Sequence, residues 1–217
     1  MIILVGGQKG GCGKTTIATN IALMRTLEGR NVHLYDIDHQ EMASLWASQR
    51  DQDINLPVIS SSQGPRDGIA IKNELTALHS EYQDIVVDVG GGNNEALRAA
   101  LLLADIVIFP IVPSGIDVWT FKVLNNLIAG ARSCNKIFKA RILLNRVNTN
   151  PTRAKKIITK CDSFLSHFDN LTRLDSFLSQ RAVVEDSSLE GLTIVESADS
   201  KAIEEIKSIY KEVFSGH

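Results

Sequence analysis

The chain has 217 residues, 44% of them hydrophobic, which suits a single domain over residues 1–217 with a well-filled core. A net charge of −2, taken whole, argues against a nucleic-acid binder, and three widely separated cysteines exclude a disulfide framework and suit a reducing cytoplasm. No apolar run approaches the roughly 20 residues of a membrane span, and the amino terminus enters a predicted strand at once, leaving no room for a signal peptide.

The apolar run Ile2–Val5 is the first predicted strand. Residues 9–16 follow it as Lys-Gly-Gly-Cys-Gly-Lys-Thr-Thr, ahead of an amphipathic stretch. Strand, glycine-rich turn and helix in that order make a phosphate-cradling loop. Gly10, Gly11 and Gly13 lack a Cβ, so backbone N–H groups can close on phosphate oxygens, and the positive end of the following helix faces the same anion. Lys14 is placed to neutralise the β- and γ-phosphates and the Thr15 hydroxyl to ligate Mg²⁺. Cys12 reads as a small filler within the loop, and Thr16 completes the nucleotide-binding set. The common form of this loop starts with glycine, and here Gln8 holds that place. A dinucleotide-binding turn is excluded because Gly11-Cys12-Gly13 is followed by Lys14-Thr15-Thr16, without the last glycine. Lys9 lies on the way into the loop and cannot easily reach the phosphates its own loop wraps. A long cation there suits a nucleotide held by a second subunit, as an arginine finger does.

After a predicted helix over Thr15–Leu27, ended by Gly29, Asn31–Asp36 reads as a buried strand. Its exit, Asp36-Ile37-Asp38-His39-Gln40, offers two carboxylates for Mg²⁺-bound water and for an attacking water. Asp84–Val89 is another apolar strand, and Asp88 near its end occupies the position that holds Mg²⁺ through water. Gly90, Gly91 and Gly92 then form a loop able to sense a γ-phosphate through backbone N–H groups. Ile106–Val112 and Arg141–Leu144 are two more strands, the first followed by Pro113-Ser114-Gly115-Ile116-Asp117. The guanine-reading Asn-Lys-x-Asp is absent, since Asn145-Arg146-Val147-Asn148 has no acid in its last place, so ATP is expected over GTP. The histidines show no ligand spacing, and Mg²⁺ is the one metal expected. Alternating strand and helix patterns predict an α/β fold, a mainly parallel sheet with helices on both faces.

Charge is unevenly spread. Between Val118 and Cys161 there are ten Lys or Arg and no Asp or Glu. Asn150-Pro151 is a helix cap with a first-turn proline, after which Ala154, Ile157, Ile158, Cys161, Phe164, Leu165 and Phe168 recur at helical spacing. That pattern buries one face and turns Arg153, Lys156 and Lys160 outward, a stripe suited to phosphate backbones without sequence reading. A last helix over about Asp199–Phe214 places Ile203, Ile206, Tyr210, Val213 and Phe214 on one side. Its polar face mixes Glu204, Glu205 and Glu212 with lysines, so docking on the sheet is expected rather than membrane anchoring.

These motifs resemble the ParA/MinD family of deviant-Walker P-loop ATPases, whose mark is the lysine found here as Lys9. The resemblance runs through most of the chain. It implies a doubly wound P-loop domain and an ATP-sandwiched homodimer in which Lys9 of each subunit crosses to the other's phosphates. It also implies that Asp38 orients the attacking water, that Asn145 and Arg146 stand at the adenine, and that basal hydrolysis is weak. Members commonly bind DNA nonspecifically when ATP-bound, which adds Arg181 to the candidate DNA contacts and expects nucleoid association. The short ParA-type partition ATPases, which work with a small separate centromere-binding adaptor, are the nearest in form. A MinD-like or other cargo-positioning ATPase, acting on membrane or a protein assembly, and a metabolic P-loop enzyme are the alternatives. Three places depart from the family pattern: His39 and Gly115 stand where prolines are usual, and so does the Gly90–Gly92 run.

Overall fold

The two central strands of the computed structural model are β1 (Ile2–Val5) and β4 (Asp84–Asp88), paired in parallel with Val5 opposite Asp88. The structure describes residues 1–92, 94–113, 115–134, 138–183 and 191–215. With β2 (Val32–Asp36), β3 (Ser60–Gln63), β5 (Ile106–Ile111), β6 (Lys139–Val147) and β7 (Thr172–Ser179) they form a seven-stranded sheet in the order β3-β2-β4-β1-β5-β6-β7. Every pairing is parallel.

Burial on both faces explains the near-continuous apolar runs of the central strands. Alternation along β1 divides the core in two: Ile2 and Leu4 join one cluster, Ile3 and Val5 the other. The first cluster is covered by α3 (Gly68–Glu81), α4 (Asn94–Leu101), α5 (Gly115–Arg132) and α6 (Pro151–Leu165). The second is covered by α1 (Lys14–Leu27), α2 (Met42–Arg50) and α7 (Ser200–Phe214). The fold is therefore the doubly wound α/β arrangement that alternating patterns predict. Strand order reverses around β1, so the crevice beyond its carboxyl end is where such a sheet takes a ligand.

Both edge strands are held by polar groups. In β3, a run of three serines and a glutamine, Ser60 and Ser62 hydroxyls meet Nδ1 and Nε2 of the buried His33 at 2.9 and 2.7 Å. At the other edge, α7 lays two glutamates on β7. The Glu212 carboxylate accepts from the backbone N–H of Asp175 (2.6 Å) and Ser176 (2.9 Å), and Glu205 accepts from that of Ser179 (2.8 Å). Helix α7 docks on the sheet as expected, burying Ile206, Tyr210 and Val213.

Helix α6 begins where the cap predicts: Asn150 Oδ1 accepts from the N–H of Thr152 and Arg153, with Pro151 in the first turn. Ala154, Cys161 and Leu165 are buried. Phe164 corrects the predicted face, since it is 40% exposed and lies outside the buried stripe. Among the described residues, no helix is long and apolar enough to cross a membrane.

Candidate phosphate and metal site

The loop after β1 enters α1 through two left-handed residues, Gly11 (φ 70°) and Gly13 (φ 89°), a geometry that side chains resist. Gly13 caps α1 without any side-chain hydrogen bond, and the first turn of α1 carries no acid. Its leading N–H groups and positive dipole end are thus left facing the loop, ready for an anion. Lys14, 5% exposed, folds back so that Nζ donates to the Lys9 carbonyl at 3.0 Å. The Cys12 thiol, also buried, donates to the same carbonyl at 3.3 Å. Lys9 itself stands at the exposed rim, as does Gly10, while Thr15 and Thr16 open the helix half-buried.

Beneath the loop, the Asp88 carboxylate is fully buried. Its Oδ2 accepts from the Thr15 hydroxyl at 2.6 Å, and its Oδ1 has no hydrogen-bond partner. Burial pushes this carboxyl up to about 7; the Thr15 hydrogen bond and Lys14 act against that rise, and the charges of Asp36 and Asp38 add to it. An orphaned carboxylate oxygen and a hydroxyl side by side are hard ligands, and they fit Mg²⁺, which is held by one or two protein oxygens together with phosphates and water. Among the described residues, no cluster of three or more His, Cys, Asp or Glu could hold a metal ion.

The two acids beyond β2 separate into different tasks. Asp36 turns inward: Oδ1 accepts from the N–H of Asp38 (3.0 Å) and Oδ2 from that of Ser44 (2.9 Å), which ties the strand exit to α2. That corrects the expectation of two carboxylates for solvent and metal. Asp38 is half-buried and accepts from the Gln40 N–H at 3.1 Å. It lies against Gly90, where a Cβ would stand 2.6 Å from Asp38 Oδ1. A Cβ on Gly91 would stand 2.9 Å from the Gly10 nitrogen and 3.0 Å from the Lys9 carbonyl carbon. The exits of β1, β2 and β4 therefore converge where side chains do not fit, which is the physical reason for glycines in a place that sequence reading could only mark as a departure.

Asn145 differs from the expected adenine contact. It is 2% exposed, its Nδ2 donates to the Cys12 carbonyl at 2.7 Å and its Oδ1 accepts from the Arg146 N–H at 2.8 Å. The Nδ2 end of the amide braces the loop while the Oδ1 end is fixed by its own strand, and a Cβ on Gly13 would strike Nδ2 at 2.1 Å. Arg146 is exposed with a left-handed backbone (φ 56°). A cavity of about 690 Å³ opens beside Thr15, Thr16 and Thr19, walled on the other side by Met42, Leu45 and Trp46 of α2.

Arg153, Lys156 and Lys160 are exposed along α6, as expected. Arg181 departs from that set, because its guanidinium is held by Glu205 (3.0 Å) and Asp199 (3.6 Å) of α7, and these acids offset its charge. Ser114 of the proline-containing segment and Lys136 of the basic stretch lie outside the described residues.

The family model for the CobQ/CobB/MinD/ParA nucleotide binding domain matches residues 3–194. The maintenance of carboxysome distribution protein A of Halothiobacillus neapolitanus is 28% identical over 216 residues, covering 97% of this chain and 95% of that protein. Among solved structures, a putative plasmid partition protein of Borrelia burgdorferi bound to AMPPNP superposes with a TM-score of 0.72 at 20% identity, covering 97% and 96% of the two chains. An ATP complex of an McdA variant from Cyanothece gives 0.76 at 12% identity, covering 98% and 95%. The ParA/MinD resemblance of the motifs and the family match agree over the same residues. The chain belongs to the CobQ/CobB/MinD/ParA nucleotide-binding domain family.

Proposed function

We propose that this protein is a ParA-type, Mg²⁺-dependent ATPase that works as a two-subunit switch on DNA to distribute a cargo. The observation that carries the reading is the buried Asp88, with one oxygen on Thr15 and the other without a hydrogen-bond partner among the described residues, within the influence of Lys14, whose Nζ donates to its own loop. When a triphosphate enters, Lys14 exchanges the Lys9 carbonyl for phosphate oxygens, and the α1 N–H groups take the remaining charge. Thr15 and Asp88 would hold Mg²⁺ with the nucleotide, and the ion would supply neutralisation of the phosphate charge. Asp38, half-buried beside the Gly90–Gly91 segment, orients the attacking water. Lys9 reaches the nucleotide of a second subunit and closes an ATP-bound homodimer. In that state the exposed Arg153, Lys156 and Lys160 of two subunits form a joined surface for nonspecific DNA. A small adaptor on the cargo stimulates hydrolysis and releases the dimer.

The cargo of first choice is a DNA replicon carrying a centromere-binding adaptor. A protein assembly is the second reading, favoured by the carboxysome-distribution relative, which matches almost end to end. The test is DNA binding with ADP, ATP and a nonhydrolysable analogue at two salt concentrations. Binding with ATP alone that weakens steeply with salt is expected; equal binding in all nucleotide states rejects the switch. Lys14→Ala should abolish nucleotide binding. Lys9→Ala should keep binding and lose dimerisation and hydrolysis, and an unchanged ATPase in that variant rejects the cross-subunit role.

A further inference from the structure

A groove of about 560 Å³ runs between α4 and α5 on the face of the sheet away from α1. Leu102 forms one wall with the fully buried Leu101 behind it, and Val123, Leu127 and Gly130 form the other at i, i+4 and i+7 of α5, with the exposed Asn126 beside them. Val123 is 44% exposed. None of residues 9–16 lines it, so it is separate from the phosphate cradle, yet Gln8 of the loop forms one end. Gly130 leaves the floor open, since a Cβ there meets nothing within 4 Å.

Among the described side chains, the charges that line this groove or flank it on α5 are basic. Arg98 of α4 lines it, is exposed and has no ion-pair partner among the described residues. Lys122 is exposed on α5, and from Val118 to the end of α5 there is no acid. Glu95, the acid of α4, is turned away to accept from the Gly68 N–H at the start of α3. An apolar trough with basic rims complements a helix with aliphatic anchors at i, i+3/i+4 and i+7 and acids on its flanks.

The groove also sits where nucleotide state can be felt. Helix α4 starts just beyond the Gly90–Gly92 segment, and Leu97 Cδ1 lies 2.7 Å from where a Cβ on Gly6 would stand, at the exit of β1.

We infer that the α4–α5 groove is the docking site of an acidic amphipathic helix on a partner protein. Its role in stimulating hydrolysis rests on the proposed function; the docking itself does not. The probe is a fluorescein-labelled peptide of about four helical turns with leucines at that spacing and glutamates elsewhere, beside a twin with lysine for each glutamate. Anisotropy with the full chain should show binding of the acidic peptide and at least about tenfold weaker binding of the twin. Arg98→Glu should weaken the acidic peptide by about tenfold or more, and Gly130→Leu, whose Cβ enters open space, should abolish its binding while the thermal melt is kept. Equal affinity for the two peptides, no binding of the acidic one, or indifference to both substitutions overturns the inference. So does loss of ATP-dependent self-association in Gly130→Leu, which would make the groove a contact between copies. ATP binding measured on the same samples separates failure here from failure of the proposed function, since either can fail alone.

Discussion

Arg50 and Glu196 form a bidentate ion pair, Nη1 to Oε2 at 2.9 Å and Nη2 to Oε1 at 2.5 Å, with the arginine side chain fully buried. Arg50 also donates to the carbonyls of Pro57 and Gly191 and lies over the Trp46 ring. Trp46 in turn donates to the Leu192 carbonyl. The far end of α2 is thereby clamped to the 191–196 segment, while its near end is tied to Asp36 through Ser44. Removing the arginine strips the half-buried Glu196 of its counter-charge, leaving it the N–H and hydroxyl of Thr193, and empties a buried site, so Arg50→Ala should cost about 3 kcal/mol. Urea unfolding monitored by Trp46 fluorescence would check it, and a change below about 1 kcal/mol would contradict the clamp.

Asp88→Asn separates stability from function. The carboxyl is pushed up to about 7, above its unfolded value, chiefly by burial. Stability from the neutral acid is therefore present below the unfolded value and is lost as pH rises through about 7. The amide cannot ionise, so the variant without nucleotide should melt at or above the wild-type temperature at pH 8. Hydrolysis should fall by about a hundredfold or more, since the carboxylate that would hold the metal through water is lost. A lower melting temperature with intact activity would reverse both expectations.

Gly91→Ala tests the convergence of the strand exits. The new methyl would press on the backbone of Lys9 and Gly10 at about 3 Å. The loop must move to admit it, and a misplacement of that order weakens ATP binding by roughly tenfold or more. Calorimetric titration with a nonhydrolysable analogue gives the answer. Unchanged affinity would mean that the loop and the glycine segment move independently.

His33 makes the β3 edge sensitive to acid. Burial pushes its pKa down to about 4, so the neutral ring is the one that bonds Ser60 and Ser62. Between the ordinary value near 6.5 and about 4 the unfolded chain binds the extra proton, so stability is lost as pH falls through that window. The loss is about 3 kcal/mol at most for a shift of this size. Melting of the wild type and of His33→Gln across pH 4–7.5 should show the slope in the first and a flatter line in the second.

The strands β1, β2, β4 and β5 were legible because burial on both faces demands an apolar run. The Asn150-Pro151 start of α6 was legible because a cap is local chemistry. Strand β3 was not, since Ser60–Gln63 carries no apolar alternation and is a strand by virtue of His33, 27 residues away. Phe164 shows the limit of periodicity, because helical spacing names a face without saying how far the neighbouring element reaches. In the site, the loop and strand pattern named Lys14, Thr15 and Asp88, which the fold brings together. The bracing roles of Asp36 and Asn145 could not, since each depends on backbone groups that only the fold brings near. Arg181 shared that blindness: a basic residue in sequence looks alike whether its acid partner is present or absent, and here Glu205 lies 24 positions on.

The glutamates on β7 have a consequence for assembly. An outer strand with open donors is a template on which another chain can add itself, but Glu205 and Glu212 already occupy the amides of Asp175, Ser176 and Ser179. A filament grown by joining sheets side by side is thus barred at this border. Copies of the protein that string together cannot add a strand at β7 without first displacing both carboxylates.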